Sequence, residues 1–424
     1  MDVRGGLAKA LNLSAVTAFL VRLPPMRTRI VTLMFLFSVM SYFDRTILSI
    51  AAPGIMREFS ISETEMGFVF SSFLLSYTIL MIPGGRWADR FGPRNILTAF
   101  AVGSGLCTAL LAAAGRPGFG ALIGVAPAFA VIRLAFGVFT SPIYPASGRM
   151  TFNWMPTHLH ARVMGIVNSG AGLGGAVSPL LFTWMISSYG WRVSFVLAGM
   201  ATVAVGLIWY WTVRDHQPGA QPAQQSQATT ARWLELLRNR RLLKLAAGYF
   251  AIDYFEYIFF YWIYYYLGEV RKLGKQESAI ATTVLFLVML IMFPLGGYTA
   301  DWLNRRFGKP FGLRAVGIGG VTISAVCLFA GLNVESVPFS VGLIALALGF
   351  TSTSDVVYWA AAIDVAGPDA GAAGGIMNAF GNLGGFFAPI LTPWIAQRFG
   401  WSAGLYFGSL LALSTVLVWR KSET

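Results

Sequence analysis

A short pattern of glycines, an alanine and an aspartate occurs twice in this sequence. Residues 84–94 read GGRWADRFGPR, and residues 296–309 read GGYTADWLNRRFGK. A shift of 212 residues superposes Gly-Gly-x-x-Ala-Asp of the first stretch on that of the second. Each stretch follows an apolar run of about 20 residues, which is the length needed to cross a bilayer. The repetition therefore indicates two copies of one helical design.

The repeat extends well beyond these two loops. The same shift places residues 42–44, which read YFD, on residues 254–256, which read YFE. A shift of 210 residues matches the pattern GI-x-N-x4-LGG-x3-P over residues 165–179 with residues 375–389. Two halves with the same membrane orientation place a pseudo-two-fold axis along the membrane normal and a cavity between them. A duplicated bundle without transport is the less favoured alternative, because charged residues inside membrane spans are costly and usually belong to a functional site.

The composition indicates a membrane protein. Hydrophobic residues make up 56% of the 424 residues and charged residues only 12%, far less charge than a soluble protein carries. We predict an all-α membrane protein with twelve transmembrane helices in two parallel six-helix repeats. The predicted organisation is a cytoplasmic N-terminal segment (1–28), a six-helix bundle (29–213), a cytoplasmic linker (214–242), a second six-helix bundle (243–420) and a cytoplasmic tail (421–424).

The distribution of basic residues predicts the orientation. Of the 31 Lys and Arg residues, 22 fall in segments on the side of the N-terminus, 7 fall on the opposite side, and the rest lie inside spans. Cytoplasmic loops carry an excess of Lys and Arg, so both termini are predicted to be cytoplasmic in a multi-pass protein of the cell membrane, the inner membrane in a bacterium. This topology accounts for the net charge of +13 without a nucleic-acid partner. We expect a monomer in the lipid bilayer.

Two arginines lie inside predicted spans, near the middle of the bilayer. They are Arg45 in the first span and Arg133 in the fourth. A lone charge there costs at least ~2.5–3.5 kcal/mol, so both should face the cavity between the halves. A guanidinium pairs bidentately with a planar carboxylate and keeps its charge. We therefore predict that both arginines bind an anionic substrate; in the alternative, an acid of another helix holds Arg45 in a permanent salt bridge.

Acids inside the spans are candidates for proton coupling. Asp44 adjoins Arg45 but projects in a different direction from the helix, which suits a separate role as a group that binds and releases a proton. Asp253 and Glu256 are spaced i,i+3 in the seventh span, and Glu256 is the repeat partner of Asp44. An internal salt bridge from these two acids to Arg45 or Arg133 is an equally open alternative.

Several polar side chains complete the predicted substrate site. The further candidates for substrate binding are Tyr42, Tyr257, Ser354 and Asn378. For the serine, the alternative is a hydrogen bond back to its own helix backbone. For the asparagine, it is a hydrogen bond between helices, and for the tyrosines it is packing or a place at the membrane interface.

The doubled loop predicts a cytoplasmic gate. Its glycines allow a tight turn and a close approach of helices. Its aspartate can meet a helix N-terminus or an arginine and form a latch that breaks when the halves rock. The predicted gate residues are Gly85, Asp89, Arg90, Arg94 and Asp301.

The loop pattern resembles the signature of the major facilitator superfamily, and the resemblance covers essentially the whole chain. Residues 42–45 (YFDR), 133–137 (RLAFG) and 375–385 (GIMNAFGNLGG) are similar to the anion:cation symporter family of sugar-acid, sialic-acid and vesicular glutamate carriers. The resemblance implies a secondary transporter that moves a small organic anion by alternating access together with protons, with sodium as a further option. The chain departs from the family at Thr140, where an acid is frequent, and at Ala171, where a glutamine is found.

Other classes of function have less support. Residues 170–175 read GAGLGG and match a dinucleotide-binding fingerprint, but they lie inside a membrane span and follow no strand. The sequence has no Walker loop, no HExxH motif and no Cys/His cluster. We therefore expect no enzymatic activity, no metal and no cofactor. The alternatives that stay open are an exporter of lipids or drug-like amphiphiles with the same fold, and a non-transporting membrane receptor.

Overall fold

The structure, a computed structural model, describes residues 24–115, 123–156, 159–216, 235–308, 311–366 and 370–420. Most of the predicted N-terminal segment (1–28), most of the predicted linker (214–242) and the predicted tail (421–424) lie outside these residues. In the part that is described, every regular element is helical and no β-strand occurs.

Helices follow one another with short connections throughout both halves. The helices of the first half are α1 (Pro25–Phe59), α2 (Glu63–Phe91), α3 (Pro93–Leu111), α4 (Val125–Thr140), α5 (Ile143–Trp154) and α6 (His160–Thr212). The helices of the second half are α7 (Arg240–Tyr265), which continues as a π-helical turn (Tyr266–Val270), then α8 (Lys275–Phe307), α9 (Phe311–Asn333), α10 (Val337–Ala366), α11 (Ala370–Phe399), α12 (Trp401–Ser414) and α13 (Val416–Arg420). Helices α2 and α8 extend through most of the two repeated loops, 84–94 and 296–309, which we call the signature loops.

The helix lengths account for twelve membrane passes. Within the described ranges, nine helical segments are long and apolar enough to cross a membrane. Helix α6 has 53 residues and, at ~1.5 Å per residue, would be about 80 Å long if straight, more than twice a ~30 Å hydrocarbon core. It breaks at Gly190 and so supplies two passes. Helices α7 and α11 complete the set, and the predicted twelve-helix architecture is confirmed.

The duplication seen in the sequence is also visible in the backbone. Gly190 breaks α6 with a φ of 78°, and its repeat partner Gly400 separates α11 from α12 with a φ of 84°. Glycine adopts such positive φ values without the strain that other residues incur. Helices α2 and α8 each contain one proline, Pro83 and Pro294, at nearly equivalent places. The two halves therefore bend at corresponding points.

Close contacts at glycines hold the helices of each half together. Gly105 of α3 faces Gly199 of α6 so closely that a Cβ on Gly105 would lie 2.5 Å from the Gly199 carbonyl oxygen. In the second half, Gly384 of α11 lies against the Phe250 carbonyl group of α7. Lipid chains are as apolar as the side chains, so small residues that permit close packing are a main source of helix association in membranes.

The buried apolar side chains form two clusters. The smaller cluster belongs to the first half alone, lies near the first signature loop, and includes Phe37, Phe100 and Trp209. The larger cluster joins the remainder of the first half to the second half. The halves therefore share a core toward the side of the molecule opposite the signature loops, which we call the far face.

The Gly105–Gly199 contact tests this packing. We expect Gly105→Ala and Gly199→Ala each to lower the melting temperature of detergent-purified protein by several degrees, because overpacking costs about 1–3 kcal/mol. Gly342→Ala in α10 is the control, since nothing lies within 4 Å of its Cβ position and alanine favours a helix. Differential scanning fluorimetry of the intrinsic tryptophan fluorescence gives the melting temperatures. Equal melting temperatures for all three variants would contradict the packing.

Candidate functional site

The Arg45 side chain of α1 lies inside a cage of aromatic rings. Its Cζ atom is 5.0 Å from the ring centroid of Tyr42, 4.9 Å from that of Phe73 and 4.8 Å from that of Tyr77. Arginine over an aromatic face gains a cation–π attraction that is larger in a desolvated site. The side chain is only 8% exposed, yet its Nε and Nη2 atoms have no hydrogen-bond partner. The guanidinium thus keeps donors free for another ligand.

Arg133 of α4 lies close to Arg45 and shares one of its aromatic neighbours. Its Cζ atom is 5.0 Å from the ring centroid of Phe73 and 5.0 Å from that of Phe136. Its Nη1 atom donates a long hydrogen bond of 3.4 Å to the carbonyl oxygen of Asp44, while Nε and Nη2 have no partner. Phe73 therefore contacts both guanidinium groups and holds them around one ring.

Neither guanidinium is paired with an acid. Among the described residues, no carboxylate oxygen lies within 4.0 Å of a nitrogen of Arg45 or Arg133. The permanent salt bridge considered for Arg45, and the salt bridge considered for Asp253 and Glu256, are thus not formed in this structure. Two buried cations without a counter-ion are costly in a low-dielectric interior, so an anionic ligand would stabilise this arrangement.

A small cavity adjoins Arg45 between the two halves. It is lined by Tyr42, Arg45 and Thr46 of α1 and by Tyr257, Phe260 and Tyr261 of α7. Its volume is about 20 Å³, enough for about one water molecule. The predicted cavity between the halves is therefore present at the predicted arginine, but in this conformation it is too small for a sugar-sized ligand.

Asp44 points away from this cavity. Its Oδ2 atom accepts a hydrogen bond of 2.9 Å from the Thr202 hydroxyl of α6, its Oδ1 atom has no partner, and the side chain is fully buried. The carboxyl group therefore lies inside the first half, behind Arg45. Asp44 and Arg45 therefore point in different directions, as expected for adjacent residues of a helix.

A chain of hydrogen bonds links the cavity to α11. The Tyr257 hydroxyl donates to Asn382 Oδ1 at 3.1 Å, and Asn382 Nδ2 donates to the Asn378 carbonyl oxygen at 2.8 Å. Asn378 Nδ2 in turn lies 2.9 Å from Met81 Sδ of α2, in the first half. Asn378 and Tyr257, both predicted for the site, are thus brought together by Asn382.

Ser354 lies elsewhere. Its hydroxyl donates to the carbonyl oxygen of Gly317 in α9 at 3.2 Å, and the side chain is fully buried between α9 and α10. Gly320 of α9 also faces this hydroxyl, because a Cβ there would collide with it. The structure does not bring Ser354 to the cavity, and its hydroxyl holds two helices of the second half together.

Three buried acids of the second half converge. Carboxylate oxygens of Asp253 and Glu256 in α7 and of Asp355 in α10 all lie within 4.8 Å of one another. The three side chains are 8%, 4% and 6% exposed. Ser352 of α10 donates a hydrogen bond of 2.9 Å to Glu256 Oε1. Asp253 and Glu256, two of the three acids predicted for proton coupling, therefore lie beside a further acid, Asp355.

The first signature loop makes contacts inside its own half. Asp89 Oδ1 lies 3.6 Å from Arg149 Nε of α5. Gly85 faces Pro145 of α5, whose Cβ would be 3.6 Å from a Cβ at that glycine. In this conformation the predicted gate residues Asp89 and Gly85 therefore hold α2 against α5.

The other predicted gate residues lie at the end of α2, at the start of α3 and in α8. The Arg94 backbone N–H donates to Asp215 Oδ1 at 2.8 Å, and its Nε atom donates to the Tyr210 carbonyl oxygen at 3.0 Å. Arg90 Cζ lies 5.3 Å from the ring centroid of its neighbour Phe91. Asp301 in α8 is exposed. Arg94 therefore attaches the start of α3 to the end of α6.

The far face is closed by contacts that cross between the halves. Arg57 at the end of α1 forms an ion pair with Glu269 of the π-helical turn. The Tyr265 hydroxyl donates to Glu63 at the start of α2. A little deeper, the Ser71 hydroxyl donates to the Phe386 carbonyl oxygen of α11 at 2.6 Å. We call these three contacts the far-face joint. It joins the two halves on this side of the molecule.

Sequence reasoning missed three residues of this site. Phe73 carries no charge or motif that marks it, and only the tertiary structure shows that it contacts both guanidiniums. Asn382 could have been chosen from its i,i+4 spacing to Asn378 in the repeated glycine motif. Asp355 is, like Asp253 and Glu256, an acid inside a span, but the sequence does not assign it to the site, because the distance between α7 and α10 is not readable from the sequence.

Comparison with families of known proteins gives two matches. Residues 34–313 match the model of the Major Facilitator Superfamily, and residues 214–422 match that of the sugar (and other) transporters. The first match spans most of the chain and contains Arg45, Arg133, Asp253 and Glu256, whereas Asp355 lies outside it.

Several curated proteins are similar along nearly their whole length. The chain is 30% identical over 404 residues to a hexuronate transporter of Bacillus subtilis, with 92% of this chain and 93% of that protein covered. It is 31% identical over 422 residues to a D-galactonate transporter of Escherichia coli, with coverages of 92% and 94%. A probable sulfoacetate transporter of Cupriavidus necator is 28% identical, with 88% of each chain covered.

Solved structures share the fold. A bacterial homologue of the human lysosomal transporter Spinster, in an inward-facing and unoccupied conformation, has a TM-score of 0.76 at 17% identity, with 94% of this chain and 95% of that chain covered. A D-xylose–proton symporter has a TM-score of 0.72 at 16% identity, with coverages of 93% and 98%. At these identities the likeness concerns the fold alone.

The unpaired arginines lead to a stability test. We expect Arg133→Met to raise the melting temperature of the ligand-free protein, because replacing a buried, uncompensated charge by an apolar side chain of similar length removes a desolvation cost of about 1–4 kcal/mol. Arg94→Met is the matched control and should lower it or leave it unchanged, since that guanidinium donates to the Tyr210 carbonyl oxygen. A clear loss of stability in Arg133→Met would show that Arg133 is a structural residue.

Proposed function

The chain belongs to the major facilitator superfamily and is a secondary transporter rather than an enzyme; from this premise we propose that it carries a small organic anion, a sugar acid or similar carboxylate, together with a proton. The transporter works by alternating access between two half-molecules. The relatives named for hexuronate, D-galactonate and sulfoacetate all move small organic anions. The anionic group of these substrates is the feature that a binding site in this chain has to match.

One observation carries the proposal: Arg45 and Arg133 are buried around the ring of Phe73 with unbonded N–H groups and no acid within ion-pair distance. A carboxylate or sulfonate bound here would receive charge-assisted hydrogen bonds, which are about twice as strong as neutral ones. It would also neutralise a charge that the protein interior solvates poorly. An amphiphile without a negative charge would leave both guanidiniums unsatisfied, which argues against the exporter of lipids or drugs.

The rest of the substrate would meet hydroxyl and amide groups. Tyr42 and Thr46 line the cavity from the first half, and Tyr257 lines it from the second. Asn378 and Asn382 are joined to Tyr257 by hydrogen bonds that substrate hydroxyls can replace. A polyhydroxylated carboxylate suits this combination, because each buried polar group then keeps a partner.

Binding requires the halves to separate on one side. The cavity holds about 20 Å³, and the far-face joint closes one entrance. We therefore propose that substrate reaches Arg45 when the halves separate on the signature-loop side while the far-face joint stays closed. Transport to the other side then requires the Arg57–Glu269 pair and its neighbours to open while the signature loops close. One chain contains the whole site, so a monomer suffices.

Asp44 is the proposed proton-binding group of the first half. It is buried behind Arg45, it accepts from Thr202, and the Arg133 guanidinium donates to its carbonyl group. An ionised Asp44 would attract Arg133 and compete with the substrate, whereas a protonated Asp44 leaves Arg133 free for the anion. Cotransport of one proton with a monoanion is electroneutral and avoids a cost of about 2.3 kcal/mol per charge per 100 mV.

The proposed setting is the cell membrane, with both termini and both signature loops in the cytoplasm. The excess of basic residues on that side is the support for this orientation. In this orientation the present conformation is closed toward the outside. Proton-driven uptake would then begin after the far-face joint opens, with the proton and the anion entering together.

Uptake into proteoliposomes tests the proposal. With the outside more acidic, we expect accumulation of labelled D-galactonate or D-glucuronate, and a loss of at least about 30-fold in the initial rate for Arg45→Ala and for Arg133→Ala, because truncating one partner of a buried charge pair costs about 2–5 kcal/mol. Asp44→Asn should lose accumulation driven by the pH gradient but retain exchange of labelled for unlabelled substrate, since exchange does not require release of a proton.

Arg192→Ala is the matched control. Arg192 belongs to the same half and binds Glu58 at the far face, with Nη2 2.6 Å from Oε1, but it lies away from the cavity. This variant should transport normally. Accumulation that persists in both Arg45→Ala and Arg133→Ala would disprove a guanidinium-bound cargo, and insensitivity of the wild type to the pH gradient would disprove proton coupling.

A further inference from the structure

Several buried hydroxyl groups near Asp44 take no part in the proposed anion site. The side chains of Ser41 in α1 and of Ser104 and Thr108 in α3 are fully buried, and their hydroxyl oxygens make no hydrogen bond. Asp44 Oδ1 is buried and unbonded in the same way. Thr108 lies beside the Asp44 carboxyl group, so these polar atoms belong to one region of the first half.

Hydroxyl groups inside membrane helices ordinarily donate to a carbonyl oxygen of the preceding turn. Thr46 of α1 does so to the Tyr42 carbonyl oxygen at 2.8 Å, and Thr98 of α3 does so to the Arg94 carbonyl oxygen at 2.8 Å. The three unbonded hydroxyls on the same two helices do not. A buried polar group without a partner is costly, so a small polar ligand would stabilise this region.

Helical spacing places these groups on one face of each helix. In α1, Ser41 lies one turn before Asp44, and in α3, Ser104 lies one turn before Thr108. Helix α6 borders the region from a third side, because the Thr202 hydroxyl donates to Asp44 Oδ2 at 2.9 Å. The five side chains therefore meet where α1, α3 and α6 pack together, and we call them the hydroxyl cluster.

Three aromatic rings close the hydroxyl cluster on the signature-loop side. Phe37 and Phe100 each lie one turn before the serine of the cluster on their helix. The ring centroid of Phe37 is 5.6 Å from that of Phe100 and 5.2 Å from that of Trp209 in α6, and all three side chains are fully buried. Trp209 Nε1 donates to the Arg94 carbonyl oxygen of the first signature loop at 3.1 Å. A movement of that loop therefore acts directly on these rings, which we call the aromatic plug.

The hydroxyl cluster is separate from the substrate cavity. The cavity is lined by α1 and α7, whereas the cluster lies between α1, α3 and α6. The charged and titratable groups that face Asp44 from neighbouring helices are Arg133 of α4 and Cys107 of α3. Arg133 Nη1 donates to the Asp44 carbonyl oxygen at 3.4 Å, so this arginine contacts both regions.

We propose that the hydroxyl cluster binds internal water, and that this water connects Asp44 with the signature-loop side by a route that the substrate does not share. An internal water makes about three hydrogen bonds to buried polar groups that lack other partners. The unbonded oxygens of Ser41, Ser104, Thr108 and Asp44 are such partners. Polar residues inside a membrane pair with one another or face a water-filled space, and these four do not pair with one another.

The route adds a proton path to the proposed function, and for the role of the proton it rests on that function. The Asp44 carboxyl group releases its proton to the adjacent water. The water passes the proton to bulk water on the signature-loop side when Trp209 moves with the loop. The substrate leaves between the halves instead, so the two do not compete for one exit. Hydration itself can be measured without any substrate.

X-ray hydroxyl-radical footprinting of the substrate-free protein tests for the water. Radicals formed from internal water oxidise the sulfur atoms next to it. Cys107 adjoins Thr108 and faces Asp44, whereas Met66 is fully buried in the larger apolar cluster. We expect Cys107 of the wild type to be oxidised at least about 10-fold faster than Met66, because apolar interiors stay dry.

Two variants show whether the hydroxyl groups hold this water. Ser104→Ala combined with Thr108→Val should lower the oxidation rate of Cys107 to that of Met66. Ser49→Ala is the matched control and should leave the rate unchanged, since its buried hydroxyl donates to the Thr46 carbonyl oxygen of its own helix at 2.7 Å. The comparison within the wild type does not depend on how well either variant folds.

Thiol labelling tests the aromatic plug. In a Cys327→Ala background, we expect Phe37→Ala to make Cys107 react at least about 10-fold faster with a small water-soluble methanethiosulfonate, because thiol modification depends on access. Phe129→Ala is the matched control and should not change the rate, since it removes an equally buried ring from the larger apolar cluster.

Oxidation of Cys107 no faster than that of Met66 in the wild type would overturn the proposal, as would an unchanged rate after loss of the two hydroxyl groups. Equal labelling of Phe37→Ala and Phe129→Ala would also overturn it, because the rings would then not close the route. Anion uptake driven by a pH gradient in a protein without this water would leave the proposed function intact. Hydration without anion uptake would support the water site and contradict the proposed function.

Discussion

The rest of the structure depends on keeping two guanidinium groups in an apolar interior without a counter-ion. Arg45 and Arg133 are held by cation–π contacts around Phe73 rather than by acids. Such contacts are worth roughly 0.5–2 kcal/mol each and do not fully replace the solvation that the groups have lost. The site therefore favours binding of an anion, and the folded protein is less stable when the anion is absent.

The charges inside the membrane are separated between the halves. The two unpaired cations belong to α1 and α4 of the first half, and the converging acids belong to α7 and α10 of the second. A single acid, Asp44, lies behind the cations and is hydrogen-bonded to Thr202 instead of pairing with them. Under the proposed function, the first half presents its two cations to an anion that enters between the halves. Binding of that anion becomes more favourable when the halves enclose it, because the interaction between opposite charges strengthens as water is excluded.

The helical framework allows the two halves to move relative to each other. Glycine contacts such as Gly105–Gly199 fix the helices within a half, so each half can move as a unit. The contacts between the halves include an apolar cluster that both share, together with a surface ion pair and a few hydrogen bonds at the far face. Exposed ion pairs contribute little free energy, about 0–1 kcal/mol, and can be broken in each cycle.

The architecture was predictable from the sequence because hydrophobicity and internal repetition determine spans and their order. The twelve passes, the duplication and a cavity at Arg45 follow from these patterns. The partners of individual side chains were not predictable, since they come from helices remote in sequence. Asp44 turns toward Thr202, Ser354 toward Gly317 and Asp355 toward Glu256, and each of these contacts depends on how neighbouring helices are rotated. The helical period of about 3.6 residues predicts the direction of each side chain, but it does not identify the neighbours.

Calorimetric binding of an acid and its amide tests the central claim most directly. If the guanidiniums bind the negative charge of the cargo, purified protein will bind D-galactonate at least about 30-fold more tightly than D-galactonamide, which has nearly the same shape without the charge. The difference will largely vanish in Arg45→Ala. Equal affinities for the acid and the amide in the wild type, or an undiminished preference for the acid after loss of Arg45, would contradict the account.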